Sequence, residues 1–264
     1  MAVPEAIGPV ASGFAEDALT RDAFLSGRVM IRQPRDGYRA ATDPVFLAAA
    51  VPAGPGQSVL DLGCGVGTAA LCLAVRVPGL TLCGVEVQPA YATLARRNGA
   101  ENGATFKVIE ADLSALPAEL RSRTFNHVIA NPPYFAPQAP GARDDGRDRA
   151  QREATPLADW VDTALRRCRD GGVVTMIHLT ERLPELLVGF AGRAAVTVLP
   201  LAARAQRPAR RVIVRARKGR RDPFVLLPPL VVHEGAGHPG DGEHFTPLVR
   251  AVMRDAAALP FDVS

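Results

Sequence analysis

Short apolar runs alternate with longer amphipathic segments through the middle of the chain. Segments with apolar residues at helical spacing separate most of these runs, as is typical of a parallel α/β sheet with helices on both faces. Nothing of helix length separates the last two runs, so those two strands are expected to pair antiparallel at one edge. The predicted strands are 58–62, 80–85, 106–110, 125–130, 173–178, 195–199 and 211–217, and the predicted helices are 68–77, 89–102, 157–168 and 181–190.

The two ends of the chain differ from this alternating centre. Residues 27–33 predict one further strand, and Asp43 is expected to cap a helix over 43–50. Turn-forming residues fill 235–242, and an amphipathic helix is predicted over 247–257. The predicted division is an N-terminal extension (1–52), a central α/β domain (53–221) and a C-terminal tail that packs on the same domain (222–264).

Composition narrows the class of protein. The chain has 264 residues, 47% of them hydrophobic, which is ample for one large core. It lacks an apolar run of membrane-helix length and a secretory signal pattern, so we expect a cytoplasmic protein without membrane contact. A monomer is the default expectation, because the sequence does not determine an oligomeric state.

The four cysteines lie mainly in apolar segments. No C-x-x-C pair occurs, and no histidine stands at zinc-like spacing to them, so they are predicted to be small buried hydrophobes and no metal is expected. The cysteines are Cys64, Cys72, Cys83 and Cys168.

Positive charge is concentrated in one stretch. The net charge is +4, but nine cations lie between Arg204 and Arg221 without an acid among them. A local cluster suits contact with a polyanion better than general solubility does. A solvated surface is the alternative. We predict substrate phosphate contacts from Arg207, Arg210 and Arg211.

A glycine-rich loop follows the first strand of the central domain. Gly63, Gly65 and Gly67 allow a tight strand-to-helix turn and a close approach of the backbone to a ligand. Thr68 stands where the dinucleotide fingerprint has its third glycine, which argues against a pyrophosphate ligand. Asp61, at the start of the loop, can order the turn.

Acidic residues follow the next two strands. Glu86 ends the second strand roughly 20 residues after the glycines, where a carboxylate can hydrogen-bond ribose hydroxyls. A solvated strand end is the alternative, and the spacing favours the ribose role. Asp112 follows the third strand. A dehydrogenase is disfavoured, because the dinucleotide pattern and a proton-relaying His or Tyr are not found.

A rigid polar loop follows the strand predicted before residue 131. It consists of Asn131, Pro132, Pro133 and Tyr134, with Phe135 next. Prolines fix φ and remove backbone donors, so this loop is built to hold a shape. In that shape an amide can hydrogen-bond a planar group while an aromatic face stacks on it. A turn without chemistry is the alternative, which the upstream glycines and acids disfavour.

Together these motifs resemble the S-adenosylmethionine-dependent methyltransferases that modify a planar amino nitrogen. The resemblance extends over nearly the whole chain to the bacterial tRNA adenine-N6 methyltransferases, which act in the anticodon loop next to the anticodon. It rests on GRVMIRQPRDGYRAATDPVFLAAA, DLGCGVGTAAL, GVEVQPAYATLARRN, ADL and FNHVIANPPYF. It implies a Rossmann-like class I methyltransferase fold, with a mostly parallel seven-stranded sheet, an antiparallel edge hairpin and helices on both faces.

The resemblance also implies a cofactor, S-adenosylmethionine, and contacts to it. Asp112 is implied to accept from the adenine amine of the cofactor, and Asp61 to face its ammonium group. Thr42 and Asp43 match the family's Thr-Asp pair before the first helix and are implied to line the pocket, with helix capping as the alternative. The full implied set is Thr42, Asp61, Gly63, Gly65, Gly67, Glu86, Asp112 and Asn131.

The chemistry expected at the proline-rich loop is activation of an amine. The Asn131 oxygen and the Pro132 carbonyl would accept hydrogen bonds from it, which favours a more nucleophilic nitrogen. Tyr134 would stack on the base, a contact that contributes about 1–3 kcal/mol. Phe135 is expected to touch the substrate. A base inside a duplex must first be flipped out.

The loop leaves the substrate open, because adenine N6 and glutamine N5 are both planar NH2 groups. Release-factor glutamine methyltransferases usually carry a helical recognition domain ahead of the catalytic fold, and the residues before Asp61 are too few and too proline-rich for one. The arginine cluster favours RNA, and the resemblance implies tRNA as the partner. Another nucleic-acid adenine methyltransferase and a non-catalytic cofactor-binding protein are further alternatives, and the intact loop argues against the last.

Overall fold

The computed structural model describes residues 13–134, 155–235 and 244–261. Within them the chain forms a two-stranded hairpin and a nine-stranded sheet of order β10-β8-β9-β7-β6-β3-β4-β5, with β11 also paired to β8. The strands are β1 Leu19–Phe24, β2 Val29–Pro34, β3 Ser58–Leu62, β4 Thr81–Glu86, β5 Phe106–Glu110, β6 Phe125–Ala130, β7 Cys168–Leu179, β8 Ala194–Ala202, β9 Ala209–Lys218, β10 Val225–Leu226 and β11 Leu230–Val231.

Helices cover both faces of the main sheet, as predicted. Buried side chains of successive strand residues alternate between two cores, because neighbouring side chains on a strand point to opposite faces. One core also contains α1, α2 and α7, and the other contains α5 and α6. The helices are α1 Asp43–Ala50, α2 Thr68–Arg76, α3 Pro89–Glu101, α4 Ala118–Arg121, α5 Leu157–Arg167, α6 Leu183–Phe190 and α7 Pro247–Asp255.

The sheet is mostly parallel, which confirms the predicted fold class. β3 pairs in parallel with β4 and β6, and β6 does so with β7. The predicted antiparallel pair is β8 and β9, and β9 is also antiparallel to β7. The prediction of seven strands is two too few, because β10 and β11 are two residues long and leave no periodic pattern.

The N-terminal hairpin corrects the prediction of a single strand there. β1 pairs antiparallel with β2, and its alternation is weak because much of it is only partly buried. Side-chain oxygens of Asn98 on α3 and of Asn102, the residue that follows α3, accept hydrogen bonds from the backbone of β2, each at 2.9 Å. These bonds attach the hairpin to the central domain.

The start of α1 also differs from the prediction. Asp43 is the first helical residue rather than the cap, and Thr42 occupies the capping position without a capping hydrogen bond from its side chain. Both side chains are therefore available for other contacts, and Asp43 makes them.

The C-terminal tail packs on α1, which lies in the predicted N-terminal extension. Val249 and Val252 of α7 are fully buried, and the Leu259 N–H donates to the Ala49 carbonyl at 2.8 Å. The Arg215 guanidinium lies 3.8 Å from the Phe261 ring centroid. The predicted domain boundaries stay a prediction, and most of the turn-rich stretch 235–242 lies outside the described residues. No helix in the described ranges has the length and hydropathy to cross a membrane.

Candidate active site

A cavity of about 220 Å³ opens where the parallel strands end. Carboxyl ends of parallel strands meet at one edge of a sheet, and ligands bind outside that edge. The topology therefore brings together motifs that are dispersed along the sequence. The predicted site residues that line the cavity are Asp61, Gly63, Gly65, Glu86, Asp112, Asn131, Pro132 and Tyr134.

The three glycines of the loop serve different needs. A Cβ on Gly63 would lie 2.6 Å from a ring carbon of Trp160, and one on Gly67 would lie 2.8 Å from Phe106. Both glycines also have positive φ, +66° and +90°. Packing and backbone conformation therefore require them, and Gly67 lies outside the described cavity lining. Gly63 and Gly65 line the cavity, and Gly65 also has a positive φ, +54°.

Glu86 holds the glycine loop against the end of β4. One carboxylate oxygen accepts from the Gly65 N–H and the other from the Gln88 N–H, both at 2.9 Å. The side chain is buried, and burial raises its pKa. Glu86 thus orders the loop itself, a role additional to the predicted ribose contact.

Asp61 presents an unsatisfied carboxylate oxygen beside the cavity. Its Oδ2 is buried and has no hydrogen-bond partner among the described residues. Burial raises the pKa of this carboxyl to about 8, and the charge of Glu86 adds to the effect. A cationic ligand would restore the ionised form, so Asp61 fits an ammonium group.

Asp112 lies at the solvent side of the same cavity. Its Oδ1 accepts from the Ser114 hydroxyl at 2.7 Å and from the Ser114 N–H at 2.8 Å. These bonds lower its pKa, so the group is ionised at neutral pH. An ionised acceptor at this place suits an amine donor.

Asn131 is oriented by a tyrosine that the sequence did not suggest. Its Nδ2 donates to the Tyr38 hydroxyl at 3.4 Å. Its Oδ1 is buried without a partner among the described residues. Burial raises the pKa of Tyr38, so the phenol stays neutral. The amide oxygen is therefore the atom left for a substrate donor.

Tyr134 is held by residues from three distant segments. Its hydroxyl donates to an Asp43 carboxylate oxygen, which also accepts from Arg211 Nε at 3.1 Å. The Arg211 guanidinium carbon lies 4.6 Å from the Tyr134 ring centroid. His178 meets the ring at 5.4 Å with 69° between the planes.

The His178 side chain supports the loop by a hydrogen bond to the backbone of the loop. The Leu179 N–H donates to Nδ1 at 2.8 Å, so Nε2 carries the proton and donates to the Pro133 carbonyl at 3.3 Å. Burial lowers the pKa of His178 to about 4, which keeps it neutral. This bond fixes the prolyl segment between Asn131 and Tyr134.

The predicted arginine cluster is not one patch. β9 is antiparallel to β7, so its Arg211 end lies beside the end of β7, whereas Arg217 pairs with Val173, level with the first half of β6. Arg207 and Arg210 are exposed at the active-site edge. Arg204 is buried and donates to the carbonyls of residues 234 and 235. The phosphate contacts predicted for Arg207, Arg210 and Arg211 stay a prediction.

Thr42 and Phe135 are the two predicted residues still to be considered. Thr42 is exposed and is absent from the described cavity lining, which leaves the predicted cofactor contact without support. Phe135 lies outside the described residues.

Sequence reasoning missed Tyr38, Trp160 and His178 as parts of the site, and it missed the contact between Asp43 and Tyr134. His178 had a usable signal, because it stands near the end of β7, which pairs with the strand that precedes Asn131. Tyr38 looked like a turn residue, and only the fold brings it to the loop.

The cysteines are all buried, as predicted. Over the ranges that the structure covers, no group of three or more His, Cys, Asp or Glu side chains is arranged to hold a metal.

Comparison with known proteins agrees with this geometry. Residues 41–143 match the model of the methyltransferase small domain. A solved structure of a predicted O-methyltransferase from Agrobacterium tumefaciens is 26% identical with a TM-score of 0.68, over 84% of this chain and 100% of that one. A T. thermophilus 16S rRNA methyltransferase in complex with AdoMet and guanosine has the same fold, with 20% identity and a TM-score of 0.52 over 76% and 50% of the two chains.

A curated relative from Yersinia enterocolitica is named tRNA1(Val) (adenine(37)-N6)-methyltransferase. It is 34% identical over 172 residues, which span 62% of this chain and 68% of the relative. This level of identity over two thirds of the relative shows that the chain belongs to the family of tRNA (adenine-N6) methyltransferases.

Proposed function

We propose that this protein transfers a methyl group from S-adenosylmethionine to the exocyclic N6 amine of an adenine in tRNA, in the anticodon loop. The observation that carries the proposal is the buried Asn131 Oδ1, which has no partner among the described residues and lies in the loop that also presents Tyr134. The name of the Yersinia relative supports tRNA as the substrate class.

The residues of the cavity fit S-adenosylmethionine. Asp61 offers an unpaired oxygen to an ammonium group, Glu86 offers carboxylate lone pairs to ribose hydroxyls, and Asp112 offers an acceptor to the adenine amine. Gly65 allows the backbone to approach the ligand. When bound, the cofactor supplies an electrophilic methyl group.

The loop after β6 acts on the target amine. The nitrogen is a weak nucleophile because its lone pair is delocalised into the purine ring. A hydrogen bond from the amine to Asn131 Oδ1 favours a more pyramidal nitrogen and aims its lone pair. Tyr134 holds the base plane by stacking. Orientation and fixed dipoles therefore supply most of the rate, without a strong base.

RNA would approach along the edge that carries Arg207 and Arg210. Both side chains are exposed where β9 begins, beside the strand ends that form the cavity. Phosphate contacts of this kind position a nucleic acid without reading its sequence. The target base must leave its stack to reach the loop, as is usual for single-stranded loops of RNA.

The test is methyl transfer to an unmodified tRNA transcript. Purified protein is incubated with labelled S-adenosylmethionine, and the nucleosides are analysed by mass spectrometry. We expect N6-methyladenosine, and none in a transcript whose anticodon-loop adenines are replaced by guanine. Label in a release-factor glutamine instead would overturn the RNA assignment. Cofactor binding by calorimetry without transfer to RNA, DNA or protein would indicate a non-catalytic protein. A cytoplasmic location and a monomeric state stay predictions.

A further inference from the structure

One carboxylate of the N-terminal segment reaches the loop that carries Tyr134. Asp43 is the first residue of α1. Its Oδ2 accepts from the Tyr134 hydroxyl and from Arg211 Nε, the latter at 3.1 Å. Three segments that are far apart in the chain thus converge on a single oxygen atom.

These contacts determine how the Tyr134 ring stands. The hydroxyl end is tied to Asp43, one face lies under the Arg211 guanidinium at 4.6 Å, and His178 meets the ring edge-on at 5.4 Å. Tyr134 also lines the cavity. Arg211 covers one face of the ring, so a planar base that stacks on Tyr134 must use the other face.

The charges of the cluster are consistent with a fixed arrangement. Burial and the neighbouring Asp43 raise the pKa of Tyr134, so its hydroxyl keeps the proton that it donates. Burial opposes the charge on Arg211, but Asp43 and Tyr134 outweigh it and raise the pKa of the guanidinium. The carboxylate of Asp43 also lies at a helix N-terminus, where negative charge is favoured.

We infer that Asp43 and Arg211 are positioning residues that fix the Tyr134 ring, so that its cavity-side face receives the target base. They act on methyl transfer through Tyr134, without touching the cofactor or the reacting atoms. This inference rests on the proposed function, because it requires a planar base that stacks. It replaces the phosphate contact predicted for Arg211.

A double-mutant cycle separates this role from a structural one. Tyr134→Phe keeps the ring and removes only the hydroxyl, and Asp43→Ala removes the acceptor. We expect each single variant to lower the single-turnover rate on tRNA about tenfold, which corresponds to about 1.4 kcal/mol. The double variant should be no slower than the slower single variant, because both changes break the same contact. Rates that multiply to a loss of about a hundredfold would overturn the inference.

Arg211 is tested by a change that keeps its charge. Lysine retains a phosphate contact but loses the planar group that covers the tyrosine face. We expect Arg211→Lys to lower the single-turnover rate while the salt dependence of tRNA binding stays unchanged. A normal rate would overturn the role of Arg211.

A matched control removes an aspartate that pairs with arginine but does not contact a tyrosine. Asp162 on α5 accepts from Arg193 at 2.7 Å, and Asp162→Ala should leave the rate unchanged.

If Asp43→Ala unfolds at the assay temperature, Asp43→Asn takes its place in the same cycle. Cofactor affinity, measured by calorimetry, should stay at the wild-type value in every variant. Absence of methyl transfer by the wild-type protein would overturn both the proposed function and this inference. If the wild-type protein is active but the rate losses of the two single variants multiply in the double variant, only this inference is overturned.

Discussion

The two halves of the cavity are held together in different ways. The cofactor half comprises Asp61, Gly63, Gly65, Glu86 and Asp112. The substrate half comprises Asn131, Pro133 and Tyr134 with their partners Tyr38, Asp43, His178 and Arg211. In the cofactor half, Glu86 bonds backbone groups that are 21 and 2 residues away. In the substrate half, the bonded pairs are 93, 91, 45 and 168 residues apart.

This difference shows how far each half of the cavity depends on the rest of the fold. Backbone groups of adjacent strand ends form the cofactor half, so a short motif is enough to build it. Side chains from four segments form the substrate half, so its geometry depends on the packing of the whole domain. Changes in the first half should alter cofactor affinity, and changes in the second should alter turnover or RNA binding.

The largest expected effect lies in the substrate half. Asn131→Ala removes the only amide oxygen proposed to meet the amine, and we expect kcat to fall about 10²–10³-fold, as for loss of a preorganised polar group in other enzymes. Cofactor affinity measured by calorimetry should hardly change. Asn126 stands at the other end of β6 and accepts from the Ser58 N–H at 3.0 Å, so Asn126→Ala is a control that should keep transfer. If Asn131→Ala lost as much cofactor affinity as kcat, the two halves of the cavity would not have separate functions.

Next in size is a change in the cofactor half. Glu86→Ala removes the acceptor of two backbone N–H groups and the proposed ribose contact. Bonds to a charged group contribute about 1.5–3 kcal/mol, so the Kd for S-adenosylmethionine should rise about 10- to 100-fold. Glu86→Gln, which keeps one acceptor oxygen, should lose less. An unchanged Kd with a lower kcat would contradict this assignment.

The arginines test how far the substrate half extends. Arg207→Gln with Arg210→Gln should flatten the slope of log affinity for tRNA against log salt by about 1.4, that is about 0.7 for each lost phosphate contact. Arg217→Gln with Arg220→Gln removes equal charge at the opposite edge of the sheet and should leave the slope unchanged. Equal slopes for the two pairs would mean that the cluster acts only through its total charge.

The smallest expected effect is on stability. In the cofactor half, one substitution should raise the stability of the protein while it weakens cofactor binding. We expect Asp61→Asn to raise Tm by at least 2–4 °C, roughly the shift that 1 kcal/mol produces in a protein of this size, while weakening cofactor binding. The folded pKa of about 8 lies above that of an unfolded aspartate. Stability from the protonated carboxyl is therefore full below pH ~3.9 and is lost as pH rises through about 8, so the advantage of asparagine should grow across that window. A lower Tm measured at pH 8 would refute a destabilising effect of the unpaired Oδ2.

Much of the fold could be predicted from the sequence, for a physical reason. Strands buried on both faces read as continuous apolar runs, and their order with the helices already indicates a parallel sheet. β1 was not predicted because half-exposed hairpin strands show only a weak alternation of apolar and polar residues. β10 and β11 were not predicted because two residues cannot show a periodic pattern. The cofactor half was predictable for the same reason as the sheet, since a loop that follows a strand must lie at its carboxyl end.

By itself, the sequence determined the α/β order, the glycine turn, the acids at the ends of β4 and β5, and the rigid loop at Asn131. All of these depend on neighbours within a few residues or on the rule that parallel strands end at one edge. Only the tertiary structure decided that Tyr38 turns the Asn131 amide, that Asp43 holds Tyr134, and that Arg211 lies on that ring while Arg217 lies at the far edge. Side-chain contacts between distant segments depend on strand register and helix packing, which no local pattern encodes.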